Sequence, residues 1–193
     1  MFRKSTDSRV AVFIAEGLEE VEGLTVVDLV YRAGIPCDTV AITPEHTVTS
    51  SHEVNIVCDR SIDDEGFSFD DYDMLVLPGG IPGTPNLRAC EPLCNALLSF
   101  DERGRGIAAI CAAPSILAEL GILKGRRATS NPGFQRELVK HGARLDANAK
   151  VVVDGNVITS QGAGTAMYFG LEIVRYFTND ATVKRVREGV VLL

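Results

Sequence analysis

The chain has 193 residues, 46% of them apolar and 23% charged, with a net charge of −7. That size makes one domain with its own core, spanning 1–193, the expected organisation. The acidic balance, with no basic run, argues against nucleic acid and anionic membranes as partners. No apolar segment long enough for a signal peptide or a membrane span follows the polar Met1–Asp7 start, so a soluble, cytoplasmic protein is expected. Cys37, Cys58, Cys90, Cys94 and Cys111 are odd in number in a chain that is not small, which speaks against a disulfide framework.

Arg9–Ala15 is a near-continuous apolar run, as in a strand buried on both faces. Glu16, Glu19, Glu20 and Glu22 lead into a helix ending near Ala33, with Leu24, Val27, Val30 and Tyr31 at helical spacing. Gly34 suits the left-handed end of that helix, and Pro36 follows. Asp38–Ile42 reads as a second strand, His46–Val57 as a β excursion of two short alternating stretches, and the acidic Ser61–Tyr72 as a surface loop. Asp73–Leu77 is another apolar strand, closed by the turn-rich Pro78-Gly-Gly-Ile-Pro-Gly-Thr-Pro85. Asn86 is suited to cap a helix reaching about Arg103, which would place Cys90 and Cys94 on one face. That pair is half a metal site at most, and no second cysteine or histidine pair completes it. Both read as packing residues or mildly reactive bystanders, and no metal is expected.

Gly106–Ile110 is a strand that delivers Cys111 directly to a helix closing at Gly121. Ala128–Ser130 follows as a short strand, Pro132–His141 as a helix, and Lys150–Thr159 as a hairpin turning at Asp154-Gly155-Asn156. Ala163–Thr178 is a long apolar-striped helix and Ala181–Gly189 a last short one. Strands alternating with helices give an α/β fold, a mostly parallel sheet covered on both faces.

Three elements should meet at the carboxyl ends of neighbouring strands, where ligands bind in such sheets. Cys111 is the first. A helix opening beside its sulfur favours the thiolate, so a thiol pKa well below roughly 8.5 is expected; an inert buried cysteine is the plainer alternative. Gly79-Gly80 is the second, able to aim backbone N–H groups at a reacting oxygen, or to form no more than a tight turn. The acidic turn is the third. A carboxyl group beside a cysteine on a water-poor floor has a raised pKa and can carry a proton. For most of the four glutamates a charged first helical turn is the better account.

Glu16-Gly-Leu-Glu-Glu-Val-Glu22, Asp28-Leu-Val-Tyr-Arg-Ala-Gly34, Leu75-Val-Leu-Pro-Gly-Gly80, Ile107-Ala-Ala-Ile-Cys-Ala-Ala-Pro114 and Ile158-Thr-Ser-Gln-Gly-Ala-Gly-Thr-Ala166 together resemble the DJ-1/ThiJ/PfpI superfamily, in its DJ-1 branch. The resemblance covers nearly the whole chain. It implies a flavodoxin-like three-layer sandwich and a homodimer working without a cofactor. It implies that Cys111 is an oxidisable nucleophile and that Glu22, protonated, hydrogen-bonds it. It further implies that the backbone N–H groups of Gly79, Gly80 and Ala112 line an anion pocket.

Two departures matter. Asn131 stands where several DJ-1-like members carry a histidine beside the cysteine; it is a candidate substrate contact that cannot take a proton. Ala112 stands where PfpI-type proteases have histidine, and no later His-x-Glu pair exists, so peptidase and amidotransferase activities are disfavoured. His141 reads as a helix-end residue, and His52 lies in the β excursion where an arginine is typical of the branch. The activity implied is that of a glyoxalase or deglycase, with small reactive aldehydes such as methylglyoxal and glyoxal, or glycated side chains, as partners. The alternative is a non-enzymatic oxidative-stress sensor or chaperone built on the same cysteine. A thiamine-biosynthesis role finds no phosphate loop or basic pocket in support.

Overall fold

The computed structural model describes residues 3–192. The chain runs β1 (Val10–Ile14), α1 (Glu20–Ala33), β2 (Cys37–Ala41), β3 (Thr47–Thr49), β4 (Asn55–Val57), β5 (Arg60–Ser61) and β6 (Met74–Leu77). It continues α2 (Gly83–Ala89), α3 (Glu91–Glu102), β7 (Gly106–Ile110), α4 (Pro114–Glu119), β8 (Arg127–Ala128), α5 (Gln135–Lys140) and β9 (Arg144–Leu145). The hairpin β10 (Val151–Asp154) and β11 (Val157–Ser160) leads into α6 (Ala166–Phe177) and α7 (Asp180–Gly189).

β1 shows why the fold has three layers. All of its side chains are buried, and they alternate between two cores. Val10, Val12 and Ile14 pack with Val26 and Leu29 of α1, Ile173 of α6 and Val186 of α7. Ala11 and Phe13 pack on the opposite face with Leu97 and Phe100 of α3 and Leu117 of α4. A strand buried on both sides cannot afford polar alternation, which is why its sequence is apolar throughout. The seven-stranded sheet has the order β10-β11-β7-β6-β1-β2-β5 and is parallel except at β10. This is a flavodoxin-like α/β sandwich. Among the described residues no helix is long and apolar enough to cross a membrane.

Four local differences from the sequence expectations have identifiable causes. The helix expected over 86–103 is two helices, broken at Cys90, whose ψ is 91°. Pro92 has no N–H to give the Arg88 carbonyl and is at home in the first turn of a new helix; the Cys94 thiol meets that carbonyl at 3.4 Å instead. Asn86 lies inside α2 and caps nothing, its Nδ2 donating to the Glu16 carbonyl at 2.9 Å. The buried face of α1 is Val26, Leu29, Val30 and Ala33, whereas Leu24 and Tyr31 are exposed. Finally, Asn131–Phe134 is a turn, and α5 begins only at Gln135.

Candidate active site

β6 lies between β1 and β7 in the sheet, so the segments leaving these three strands meet at one edge. α1 brings Glu22, the β6 loop brings Gly79 and Gly80, and the end of β7 brings Cys111. β11, on the other side of β7, adds Gly162 and Ala163.

Cys111 sits in the left-handed region with φ 65°, a conformation costly for a residue with a Cβ. Its neighbours hold it there. Its N–H donates to the Ser160 carbonyl at 3.0 Å, and its carbonyl accepts from the Asn131 N–H at 2.9 Å. The sharp turn lifts the side chain off the strand end toward Glu22.

Glu22 is 1% exposed although it lies in the first turn of α1. Its Oε2 accepts the Gly79 N–H at 2.8 Å. Burial pushes its carboxyl up to about 7, against the lowering effect of the Gly79 amide and the Cys111 side chain; the Glu19 charge raises it and the Ala163 amide lowers it. Gly79 must be glycine because a Cβ there would lie 2.5 Å from the Cys111 Cβ and 2.7 Å from the Glu22 Oε2.

The Cys111 thiol is pushed up to about 12 by burial first, then by the charge and hydrogen bond of Glu22; the Ala112 and Gly80 amides pull it down. This corrects the expected acidic thiol. The helix behind the sulfur has only six residues, and burial and Glu22 outweigh the two backbone amides that favour the anion. Sulfur and carboxyl share a pocket, so they titrate as a pair, and the thiolate is favoured only while Glu22 holds the proton. The expected anion pocket is corrected too. The Gly79 amide is spent on the carboxyl, which leaves Gly80 and Ala112 to face the sulfur.

A model of the DJ-1/PfpI family matches residues 8–176. The chain belongs to the DJ-1/PfpI family. Protein dj-1beta of Drosophila melanogaster is 37% identical over 94% of this chain and 95% of its own length. The glutathione-independent glyoxalase DJ-1 of Schizosaccharomyces pombe is 31% identical over 86% of this chain and 89% of its own. The crystal structure of Drosophila DJ-1beta superposes with a TM-score of 0.89 at 33% identity, covering 97% of this chain and all (100%) of that one.

The other polar residues of this DJ-1/PfpI chain are engaged elsewhere. Glu16 accepts the Thr49 N–H at 3.1 Å, and Glu19 caps α1 through the Val21 N–H at 3.3 Å. His52 pairs with Glu20 at 3.0 Å on the surface. Glu19, Glu20 and His52 are the single group among the described residues whose ligand atoms could gather round a metal, and His52 already bonds Glu20. His46 bonds Asp64 at 2.9 Å, and His141 ends α5 beside Glu137. The groups that act most on Cys111 and Glu22 include none of these histidines. All five cysteines are free.

Asn131 does reach the site. Its Oδ1 accepts the Gly133 N–H at 3.0 Å, which leaves Nδ2 turned toward Gly162. Gly162 and Ala163 were not singled out from the sequence. Their contribution is a backbone amide and a missing side chain, neither of which announces chemistry by residue type.

Proposed function

We propose that the chain is a cofactor-independent glyoxalase acting on methylglyoxal, glyoxal or their early adducts with side chains. One observation carries this reading: a buried carboxyl group with a pKa near 7 faces a sulfur that also meets two backbone amides. The printed name of the S. pombe relative supports it.

The chemistry follows from the positions. Glu22 as carboxylate takes the Cys111 thiol proton as the sulfur adds to the aldehyde carbon. The new oxyanion takes hydrogen bonds from Gly80 and Ala112 and is then protonated by Glu22, which completes a hemithioacetal. Glu22, a carboxylate again, takes the proton from that carbon to the neighbouring carbonyl oxygen, giving an enediol, and then takes the hydroxyl proton of the sulfur-bearing carbon to the adjacent carbon. The product is the thioester of a 2-hydroxy acid. Water hydrolyses the thioester, releasing the acid and restoring the thiol; for an adduct, the amine leaves as well. A carboxyl group that is half protonated near neutral pH can serve as both acid and base. Without a histidine the whole proton transfer falls on it, so turnover should be slow.

The test is steady-state hydroxy-acid formation from methylglyoxal by wild type and Cys111→Ser. Loss of at least a hundredfold in the variant supports the reading; equal rates would overturn it. The oxidative-sensor reading rests on the same geometry, since protonated Glu22 can donate to a sulfinate on Cys111. It requires that limited peroxide oxidise Cys111 before Cys37, Cys58, Cys90 or Cys94, which peptide mass spectrometry resolves.

A homodimer is part of the proposal. The outer face of α1 exposes Val21, Leu24 and Tyr31, and β4 exposes Val57 at 74%. His52, on the loop between β3 and β4, touches Glu20 of α1, so this loop lies beside the start of the helix. An exposed apolar surface of this kind marks an interaction site.

A further inference from the structure

The carboxyl group of Glu22 meets two loops. The Gly79 amide holds its Oε2 at 2.8 Å. The segment leaving β11 lies against its Oε1: a Cβ built on Gly162 would stand 3.7 Å from that oxygen, and the Ala163 amide acts on the carboxyl. This segment is Gly162-Ala163-Gly164, exposed at its last two residues and without a side chain large enough to pack it in place. Something else must fix where its amides point.

Thr165 is placed to do so. Its Oγ1 accepts the N–H groups of Gln161 at 3.2 Å and Gly162 at 3.1 Å. Its own proton has the Ser160 Oγ at 2.7 Å and the Gly162 carbonyl at 2.9 Å to go to. A hydroxyl has one proton and two lone pairs, so all three are engaged here. Ser160 is fully buried and is fixed in turn. Its hydroxyl donates to the Lys150 carbonyl at 2.7 Å, and its carbonyl accepts the Cys111 N–H at 3.0 Å. One hydroxyl thus closes the turn after β11 and ties it to the residue that anchors the cysteine.

We propose that Thr165 is a positioning residue for Glu22, its hydroxyl setting the loop after β11 so that Ala163 presents a second amide to the carboxyl group beside that of Gly79. It acts through the backbone and not on a substrate. The inference rests on Glu22 as the acid–base group of the proposed activity, but it is read on the carboxyl itself. An amide that bonds the ionised carboxyl favours that form, so losing the Ala163 contact lets the proton stay bound to a higher pH. A threonine that served only to close a turn would change stability and leave the titration of Glu22 where it was.

Thr165→Val and Thr165→Ser test this. Valine keeps the shape of the side chain and leaves the Gln161 and Gly162 N–H groups facing a methyl. Serine keeps the hydroxyl and drops the methyl. Carbon-13 NMR of the Glu22 carboxyl from pH 4 to pH 10 gives its midpoint in each protein, with melting temperatures measured in parallel. In Thr165→Val the midpoint should rise by at least about half a pH unit, and Thr165→Ser should show less than half of that rise. A smaller rise in the valine variant, or a serine variant that shifts as far as valine does, would overturn the proposal. Should Thr165→Val not fold, Thr165→Ala, which also lacks the hydroxyl, is read by the same criterion. Should the wild type turn over no aldehyde, the proposed activity fails, while the midpoints still judge the role of Thr165.

Discussion

The Gly79 N–H donates to the Glu22 Oε2 at 2.8 Å, and this bond places a loop amide on the carboxyl group that faces the cysteine. It fixes the direction of a side chain that burial would otherwise leave free to turn. It also explains why the glycine pair is asymmetric: the first amide orients the acid, and the second faces the sulfur.

Gly79→Ala should therefore damage the site more than the fold. The added methyl would overlap the Cys111 Cβ and the Glu22 Oε2 at 2.5 and 2.7 Å. Overpacking of this kind costs about 1–3 kcal/mol. Thermal melts should show a loss in that range, and Cys111-dependent turnover should fall by at least a hundredfold. Wild-type turnover would show that the close approach of the three groups is dispensable.

Glu22 makes stability depend on pH in a specific window. Its folded pKa of about 7 lies above the ordinary value of 4.5, so the folded chain holds this proton longer than the unfolded chain does. The resulting stabilisation is fully present below about 4.5 and is lost as pH rises through about 7. At roughly 1.4 kcal/mol per pKa unit, it is worth up to about 3 kcal/mol. His46 and His52, whose pKa values are raised by Asp64 and Glu20, lose stabilisation in the same direction. Their contribution is common to wild type and Glu22→Gln, so the difference between the two isolates Glu22. Urea unfolding at pH 5 and pH 8.5 should show a smaller drop for the variant; parallel drops would mean the carboxyl titrates normally.

The histidines should be dispensable for turnover. His46, His52 and His141 are held by Asp64, Glu20 and Glu137 respectively. Alanine at each should leave kcat/KM within a few-fold of wild type. A loss above tenfold at any one, with the melting temperature kept, would reveal a base that moves into the site.

The dimer proposal is tested by light scattering at micromolar concentration. The expected mass is twice the 20.8 kDa of one chain, and Leu24→Glu on the exposed face of α1 should reduce it to one. A wild-type mass of 20.8 kDa would rule out a stable dimer at that concentration.

What could be read from the sequence, and what could not, follows from how each feature is encoded. β1, β6 and β7 are buried on both faces, so their composition alone marks them. The β10–β11 hairpin was legible from its turn, where Gly155 takes φ 62°. The face of α1 was not. Leu24 and Tyr31 share the spacing of a core stripe, yet they sit outside while Val26 and Leu29 sit inside, and both stripes are apolar. The break at Cys90 was signalled by Pro92, whose preference for a first turn outweighs the continuous helical pattern around it. At the site, Cys111 was legible from its place between a strand and a helix, whereas Glu22 was told from the other three glutamates only by the family resemblance. The division of labour between Gly79 and Gly80, the amide of Ala163 and the vacancy at Gly162 belong to backbone geometry, which a residue's type does not encode.

The central claim is that Glu22 keeps a proton beside Cys111 at neutral pH. Carbon-13 NMR of the Glu22 side-chain carboxyl, assigned by comparison with Glu22→Gln and followed from pH 4 to pH 9, measures this directly. The expected midpoint is about 7, set chiefly by burial. A midpoint near the ordinary 4.5 would mean that the carboxyl is ionised throughout the neutral range, cannot donate to a thiolate, and does not carry the proton the chemistry requires.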